Sequence, residues 1–265
     1  IKGDLNDVVT NNSPIDIDKL IEGTNEILSA NRNSLQLFDM LHSMRQFDDL
    51  TYVHSVNVAL IASILGQWLK FSEKDIRILT ISGLLHDIGK IMIPNEILTK
   101  PGKLTVAEYN IMKQHVNFGY EKVKNQNIDI RIKEACLLHH EKCDGTGYPF
   151  GLKSDHIPAV AKIIAIADVY DAMTSARVYR GALCPFEVID TMYKDAFTKF
   201  EPEYILPFLK NVASSYINND VRLSDGRIGK VVLINENALS LPIVQCEDEF
   251  IDLSKTRELT VSAIL

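Results

Sequence analysis

The chain is short of the residues that mark the more specialised protein classes. It has four cysteines in 265 residues, Cys136, Cys143, Cys184 and Cys246, and no two form a CxxC pair. A disulfide framework is therefore not expected, and free thiols in a reducing cytoplasm are. Gly (13) and Pro (9) are too few for a collagen-like or fibrous chain. No apolar run reaches the roughly 18 residues of a bilayer-spanning helix. The longest candidate, residues 58–69, is broken by Ser63, Gly66 and Gln67. The first residue is Ile1, and no basic stretch followed by an apolar one comes after it, so the start reads as cut or processed. Basic charge is also in deficit, with 28 Lys and Arg against 35 Asp and Glu, a net −7. That excludes a broad surface for a nucleic-acid polymer or an anionic membrane, which needs clustered cations. An anionic small molecule needs only a few cations placed locally.

What remains is a globular composition, 46% hydrophobic and 24% charged, in a length suited to one large domain or one domain with an appendage. Helical patterns dominate to about residue 219. The spacing predicts helices after Ser13-Pro14, over 35–47, 51–69 and from the cap at Ser72 to 88. Others are expected from the capping box at Thr105/Glu108 to 124, and over 129–141, 156–174, 185–198 and 202–217. Beyond 220 the texture changes to short β-branched runs at 221–223, 229–234 and 243–246, separated by turn-forming residues. The expected organisation is an N-terminal helical segment (1–48), a helical domain (49–219) and a small β-rich subdomain (220–265). The fold class is mainly α, with the β appendage carrying no chemical pattern.

The histidines are ordinary in number but not in company. His86-Asp87 ends the apolar segment 76–85, and His139-His140, with Glu141 beside it, ends another at 135–138. Asp168 sits in the run IIAIADVY at 163–170, with Asp171 one helical turn further on. An ionised carboxylate there is strongly disfavoured unless it is paired or metal-bound. Each pair alone also reads as structural: a buried Asp can cap a helix or pair with Arg177, and an HH pair can be one core and one surface residue. His54 and His115, taken singly, read as ordinary helical histidines, and His42 and His156 are read as ordinary. The set is what points to a metal centre, since neutral imidazole is the commonest ligand. Lys90, one turn from His86, can aim a compact charge at a phosphate. Arg177 and Arg180 can hold phosphate or guanine edges, or serve as surface ion-pair partners. In the loop DGTGYP at 144–149, Gly147 permits a tight turn, Pro149 stiffens the exit, and Tyr148 can offer a ring to a base and a hydroxyl to a phosphate.

HSVNVA at 54–59, HDIGK at 86–90, HHEKCDGTGYP at 139–149 and IADVYDAMTSARVYR at 166–180 together resemble the HD-GYP family of HD phosphohydrolases, over residues 50–200. The resemblance implies an HD-domain helical bundle around a metal centre that hydrolyses cyclic di-GMP to linear pGpG, with a further step to GMP left open. One ion is then held by His54, His86, Asp87 and Asp168. The other shares Asp87 as a bridge and takes His115, His139 and His140. Iron is the metal implied, with manganese or another transition metal as the alternative. Such a pair, about 3.5–4 Å apart, shares a hydroxide that attacks phosphorus. Asp171 is assigned to contact substrate or orient metal-bound water. Some family members place a Glu, ligand to a third ion, where this chain has Leu50, so a binuclear centre is expected. Iron ligation also raises the expectation of redox-sensitive activity. Two alternatives stay open at this stage: hydrolysis of another cyclic dinucleotide such as cyclic GMP-AMP, and a receptor that binds without hydrolysing. The N-terminal helices and the β appendage are candidate homodimer contacts, and an upstream sensory domain is the family's frequent company.

Overall fold

Helix α2 (Leu50–Trp68) is apolar on every side, and residues 55–66 are all buried, which makes it the axis of the fold. The structure is a computed structural model. It describes residues 13–30, 50–175, 183–256 and 258–265, and the backbone alone at 23, 25–30, 50 and 51. Around α2 pack α1 (Ile17–Ala30), α3 (Glu73–Leu85), α8 (Ala159–Thr174) and α10 (Pro202–Ser215). Between α3 and α8 run a 3-10 turn (Ile88–Met92), the short helices α4 (Asn95–Leu98) and α5 (Val106–Met112), then α6 (His115–Val123) and α7 (Ile130–Leu138). Helix α9 (Pro185–Asp195) connects α8 to α10 and touches the last strand.

Local sequence sets the helix starts. Ser72 accepts the Asp75 amide, Thr105 and Glu108 form a reciprocal capping box, and Asp129 accepts the Arg131 amide. Helices α9 and α10 begin on Pro185 and Pro202, where a missing N–H is harmless. At α1 the cap is Asp16, whose Oδ1 takes the Lys19 amide at 3.1 Å, rather than Ser13.

The C-terminal sheet is antiparallel, in the order β4-β3-β2-β1-β5, with β1 at Asp220–Leu223, β2 at Ile228–Leu233, β3 at Ile243–Cys246, β4 at Glu249–Asp252 and β5 at Val261–Ile264. Val221, Val231 and Val244 face inward, and one apolar cluster runs from Leu20 through the helices to Val261.

Three expectations need correction. The helix expected over 105–124 is broken at Lys113-Gln114, because α5 buries nothing while α6 buries His115, Val116, Gly119 and Val123. The break lets the second half turn a different face inward. The helix expected to reach 88 stops at Leu85, and Asp87 (φ −100°, ψ 10°) starts the 3-10 turn. Strands β4 and β5 were not expected: both are edges, and β4 buries only Ile251, so the alternation is too weak to read. The helix expected at 35–47 lies outside the described residues, as does His42.

Candidate metal centre

Seven side chains from five helical segments meet beneath one cavity. His54 comes from the second turn of α2, and His86 and Asp87 follow α3. His115 opens α6, His139 and His140 follow α7, and Asp168 lies within α8. Gly89 allows this convergence. A Cβ there would lie 2.0 Å from the His115 carbonyl oxygen and 2.4 Å from the Gly119 nitrogen, so only glycine lets the HDIGK turn rest on the start of α6.

Three of the imidazoles are oriented by backbone. Nδ1 of His86 donates to the Gly83 carbonyl at 2.7 Å, that of His115 to Met112 at 2.8 Å, and that of His139 to Ala135 at 3.0 Å. A carbonyl only accepts, so the proton sits on Nδ1 and the Nε2 lone pair faces the centre. In His54, Nδ1 meets Asp171 Oδ2 at 2.7 Å.

Asp87 stands in the middle with its two oxygens turned to different groups. Oδ2 lies 3.2 Å from His86 Nε2 and 3.5 Å from His54 Nε2, whereas Oδ1 lies 3.3 Å from His115 Nε2 and 3.8 Å from His139 Nε2. Asp168 Oδ1 is 3.0 Å from His54 Nε2, and its Oδ2 is 3.8 Å from His140 Nδ1. Potential ligand atoms within 4.8 Å of one another fall into three sets: His54, His86 and Asp87; Asp87, His115, His139 and His140; and His86, His139 and Asp168.

The electrostatics suit cations. Burial opposes charge on Asp87, yet His86 and Lys90 hold its carboxyl well below the usual range, and His54 and His140 do the same for Asp168. Burial depresses His115 and His139, and takes His140 from 6.5 to about 3. Burial also opposes charge on His54, but Asp168 and Asp171 outweigh it and raise the pKa to about 9. Ionised Asp87 and Asp168 beside neutral His115, His139 and His140 are the protonation states that ligation requires, and a bound cation would displace the proton that Asp168 and Asp171 hold on His54. The atoms left over make the stronger test. His54 Nε2, His86 Nε2 and Asp87 Oδ1 are buried without an aligned hydrogen-bond partner. Buried polar atoms left unpaired in this way are costly, and divalent ions would satisfy all three. A set rich in imidazole with two carboxylates suits Fe, Mn or Zn better than Mg.

The remaining expected residues are placed as follows. Lys90 Nζ contacts Asp87 Oδ2 at 2.5 Å and lines the cavity. Asp171 is committed behind His54: besides His54 it accepts from Asn57 Nδ2 at 2.9 Å and Ser175 Oγ at 3.2 Å. It also lines the cavity, so its place beside His54 is compatible with the expected contact with substrate or metal-bound water. Tyr148 stacks on the His140 ring, centroids 4.7 Å apart, and precedes a cis bond to Pro149. Burial pushes its hydroxyl far above the ordinary range, so it remains a donor. At Gly147 a Cβ would lie 2.5 Å from the backbone of His140, Glu141 and Lys142. Arg177 and Arg180 lie outside the described residues, as does the Leu50 side chain. His156 is exposed and paired with Asp155, an ordinary surface histidine.

Two contributors escaped the sequence reading. Glu141 is only 4% exposed, and its carboxylate accepts the amides of Phe150 (2.7 Å), Gly151 (3.1 Å) and Leu152 (2.9 Å), fixing the loop that carries Tyr148. Asn57 is buried inside apolar α2 and holds Asp171. Its signal was present, as a polar residue one helical turn after His54.

Above the centre opens a cavity of about 780 Å³, whose lining includes His54, His115, His140, Asp168, Lys90 and Tyr148. That volume is in the range of small-molecule sites. Among the described residues no helix is long and apolar enough to cross a membrane.

The model of the HD domain family matches residues 24–204. Over 203 residues the chain is 36% identical to a cyclic di-GMP phosphodiesterase of Pseudomonas aeruginosa, an alignment covering 76% of this chain and 49% of that protein. It is 37% identical over 173 residues to the 3'3'-cGAMP-specific phosphodiesterase 1 of Vibrio cholerae, covering 64% of this chain and 38% of that one. An HDG"Y"P protein from Bdellovibrio bacteriovorus shares the fold, with a TM-score of 0.59 at 22% identity over 72% of this chain and 60% of that one. The chain thus spans about half the length of the first relative.

Proposed function

Since the chain belongs to the HD domain family, and within it to the HD-GYP group, we propose that it is a binuclear metal-dependent phosphodiesterase that hydrolyses cyclic di-GMP to linear pGpG. The observation that carries this reading is the placement of Asp87, each of whose carboxylate oxygens faces a different set of imidazoles. His54, His86 and Asp168 would complete one ion's ligands and His115, His139 and His140 the other's, with Asp87 common to both. Iron is the metal that the family resemblance implies, with manganese or another transition metal as the alternative, and the imidazole-rich donor set is compatible with these. When bound, such a pair supplies the attacking hydroxide and offsets charge on the phosphoryl group.

The chain's own residues do the rest. Asp171, held by Asn57, keeps His54 in its ligating orientation, and the carbonyls of Gly83, Met112 and Ala135 do so for three further imidazoles. Lys90 brings a fixed cation to the floor of the cavity, where a phosphodiester would sit. Tyr148 closes one side of the His140 ring and keeps its hydroxyl as a donor. Arg177 and Arg180 are proposed to hold the nucleotide.

A second reading, hydrolysis of cyclic GMP-AMP, has support from the 37% identical Vibrio cholerae relative and requires the same metals with a different base pocket. The deciding experiment is elemental analysis of anaerobically purified protein with chromatography of products from both cyclic dinucleotides. Two transition-metal ions per chain and a linear dinucleotide are expected. A fully loaded protein that binds either dinucleotide without opening it would replace this reading with that of a receptor.

A further inference from the structure

A cyclic dinucleotide carries two phosphodiesters, each with one negative charge, and one is cleaved while the other must be held. On the phosphodiesterase reading, on which this inference rests, the metal centre and Lys90 serve the first. Among the described residues lining the cavity, the cations other than Lys90 are Lys100 and Lys103. Lys100 is committed. Its Nζ lies 2.7 Å from both carboxylate oxygens of Glu108, and Glu108 Oε2 also takes the Thr105 amide at 2.7 Å. Lys100 pulls Glu108 down to a pKa of about 2, so the carboxylate stays charged and the pair stays closed. That pair ties Lys100 to the capping box of α5 at the edge of the cavity.

Lys103 stands on the cavity wall in a different condition. It is exposed, and no hydrogen bond or ion pair engages it among the described residues. The residues beside it in the lining, Ile97, Leu98 and Leu104, carry no charge. The described carboxylates that line the cavity, Asp168 and Asp171, belong to the metal centre and to its support. We infer that Lys103 binds the phosphodiester that is not being hydrolysed, so that the cavity holds its substrate by both phosphates. The wall offers an exposed ammonium that no described carboxylate pairs with, and near a protein surface its attraction for an anion is stronger than in bulk water.

The test uses the full chain, loaded with metal, as wild type and as Lys103→Met, Lys103→Glu and Lys103→Arg. Each is assayed on cyclic di-GMP, on cyclic GMP-AMP and on bis(p-nitrophenyl) phosphate, which has a single phosphodiester. Lys103→Met is expected to raise KM for the dinucleotide about two- to fivefold, Lys103→Glu further, and Lys103→Arg little. The ratio of kcat/KM for dinucleotide to that for the small diester should fall by the same factor. The rise of KM with salt should flatten, as expected when a screened charge pair is lost. A KM in Lys103→Glu equal to that of wild type sinks this inference alone, as does a loss shared equally by both kinds of substrate. Wild-type protein that opens neither dinucleotide sinks the parent reading and this one with it.

Discussion

Replacing Glu141 with Gln keeps the volume of the side chain but exchanges one of two loop-facing oxygens for an NH2 group. In the native loop Oε1 accepts from Phe150 and Gly151, and Oε2 from Leu152 at 2.9 Å. The glutamine does best by keeping its oxygen on the Phe150 and Gly151 side, which sets its NH2 against the Leu152 N–H, donor against donor. A hydrogen bond to a charged group contributes about 1.5–3 kcal/mol, so Glu141→Gln should weaken the loop by about 2 kcal/mol. Glu141→Ala leaves all three amides without their acceptor. Its effect should be larger, about 4 kcal/mol, water replacing part of what is lost.

The loss is local, because Glu141 ties residues 150–152 to the end of α7 and not one helix to another. Hydrogen exchange is therefore the right assay. About 2 kcal/mol corresponds to a roughly 30-fold fall in amide protection at 150–152 in Glu141→Gln. Protection in α2, whose residues 55–66 are buried, should not change. Hydrolysis should suffer mainly in KM, since Tyr148 keeps its place on His140 only while the loop is closed. Unaltered protection at 150–152 in both variants would show that other contacts hold the loop without the carboxylate, and the reasoning would be wrong.

Four further outcomes are expected. Asp87→Ala should lower the metal content to less than half the wild-type value in elemental analysis and abolish turnover; retention of both ions would refute its bridging role. Asp171→Asn, which disturbs the His54 orientation without removing a ligand, should weaken one ion about 10–100-fold in a chelator competition, with the other unchanged. Tyr148→Phe should reduce turnover only modestly, within about tenfold, since the stacked ring survives; complete loss would make the hydroxyl essential. Metal-free protein should be most stable near pH 6.5 by denaturant titration. Below that, unfolded histidines take protons that buried His139 and His140 refuse, so stability falls on acidification; above it, the His54 contribution fades as its folded pKa of about 9 is approached. A flat profile between pH 5 and 9 would contradict these environments.

His86, Asp87, His139, His140 and Asp168 were legible as candidate ligands because each is a polar residue beside or within an apolar run, whereas His54 and His115 were marked only by the family resemblance. Asp168 stands in IIAIAD and His86-Asp87 after a long apolar stretch, so burial and chemistry conflict in the sequence itself, and a cation resolves the conflict. Glu141 carries no such sign. Between His140 and Lys142 it reads as one more charged loop residue, and only the path of residues 147–152, doubling back over it, turns three amides toward its carboxylate. Asn57 lies between these cases, since it breaks an apolar helix but shows no partner until Asp171 arrives from α8, 114 residues later. The same distinction explains the fold. Helices announce themselves through periodicity within a segment, whereas the break before His115 and the edge strands β4 and β5 depend on what the segment packs against. The sequence pattern at 105–124 was continuous because its cap and its apolar spacing are continuous. Tertiary packing divided it, and the division is what aims His115 at Asp87.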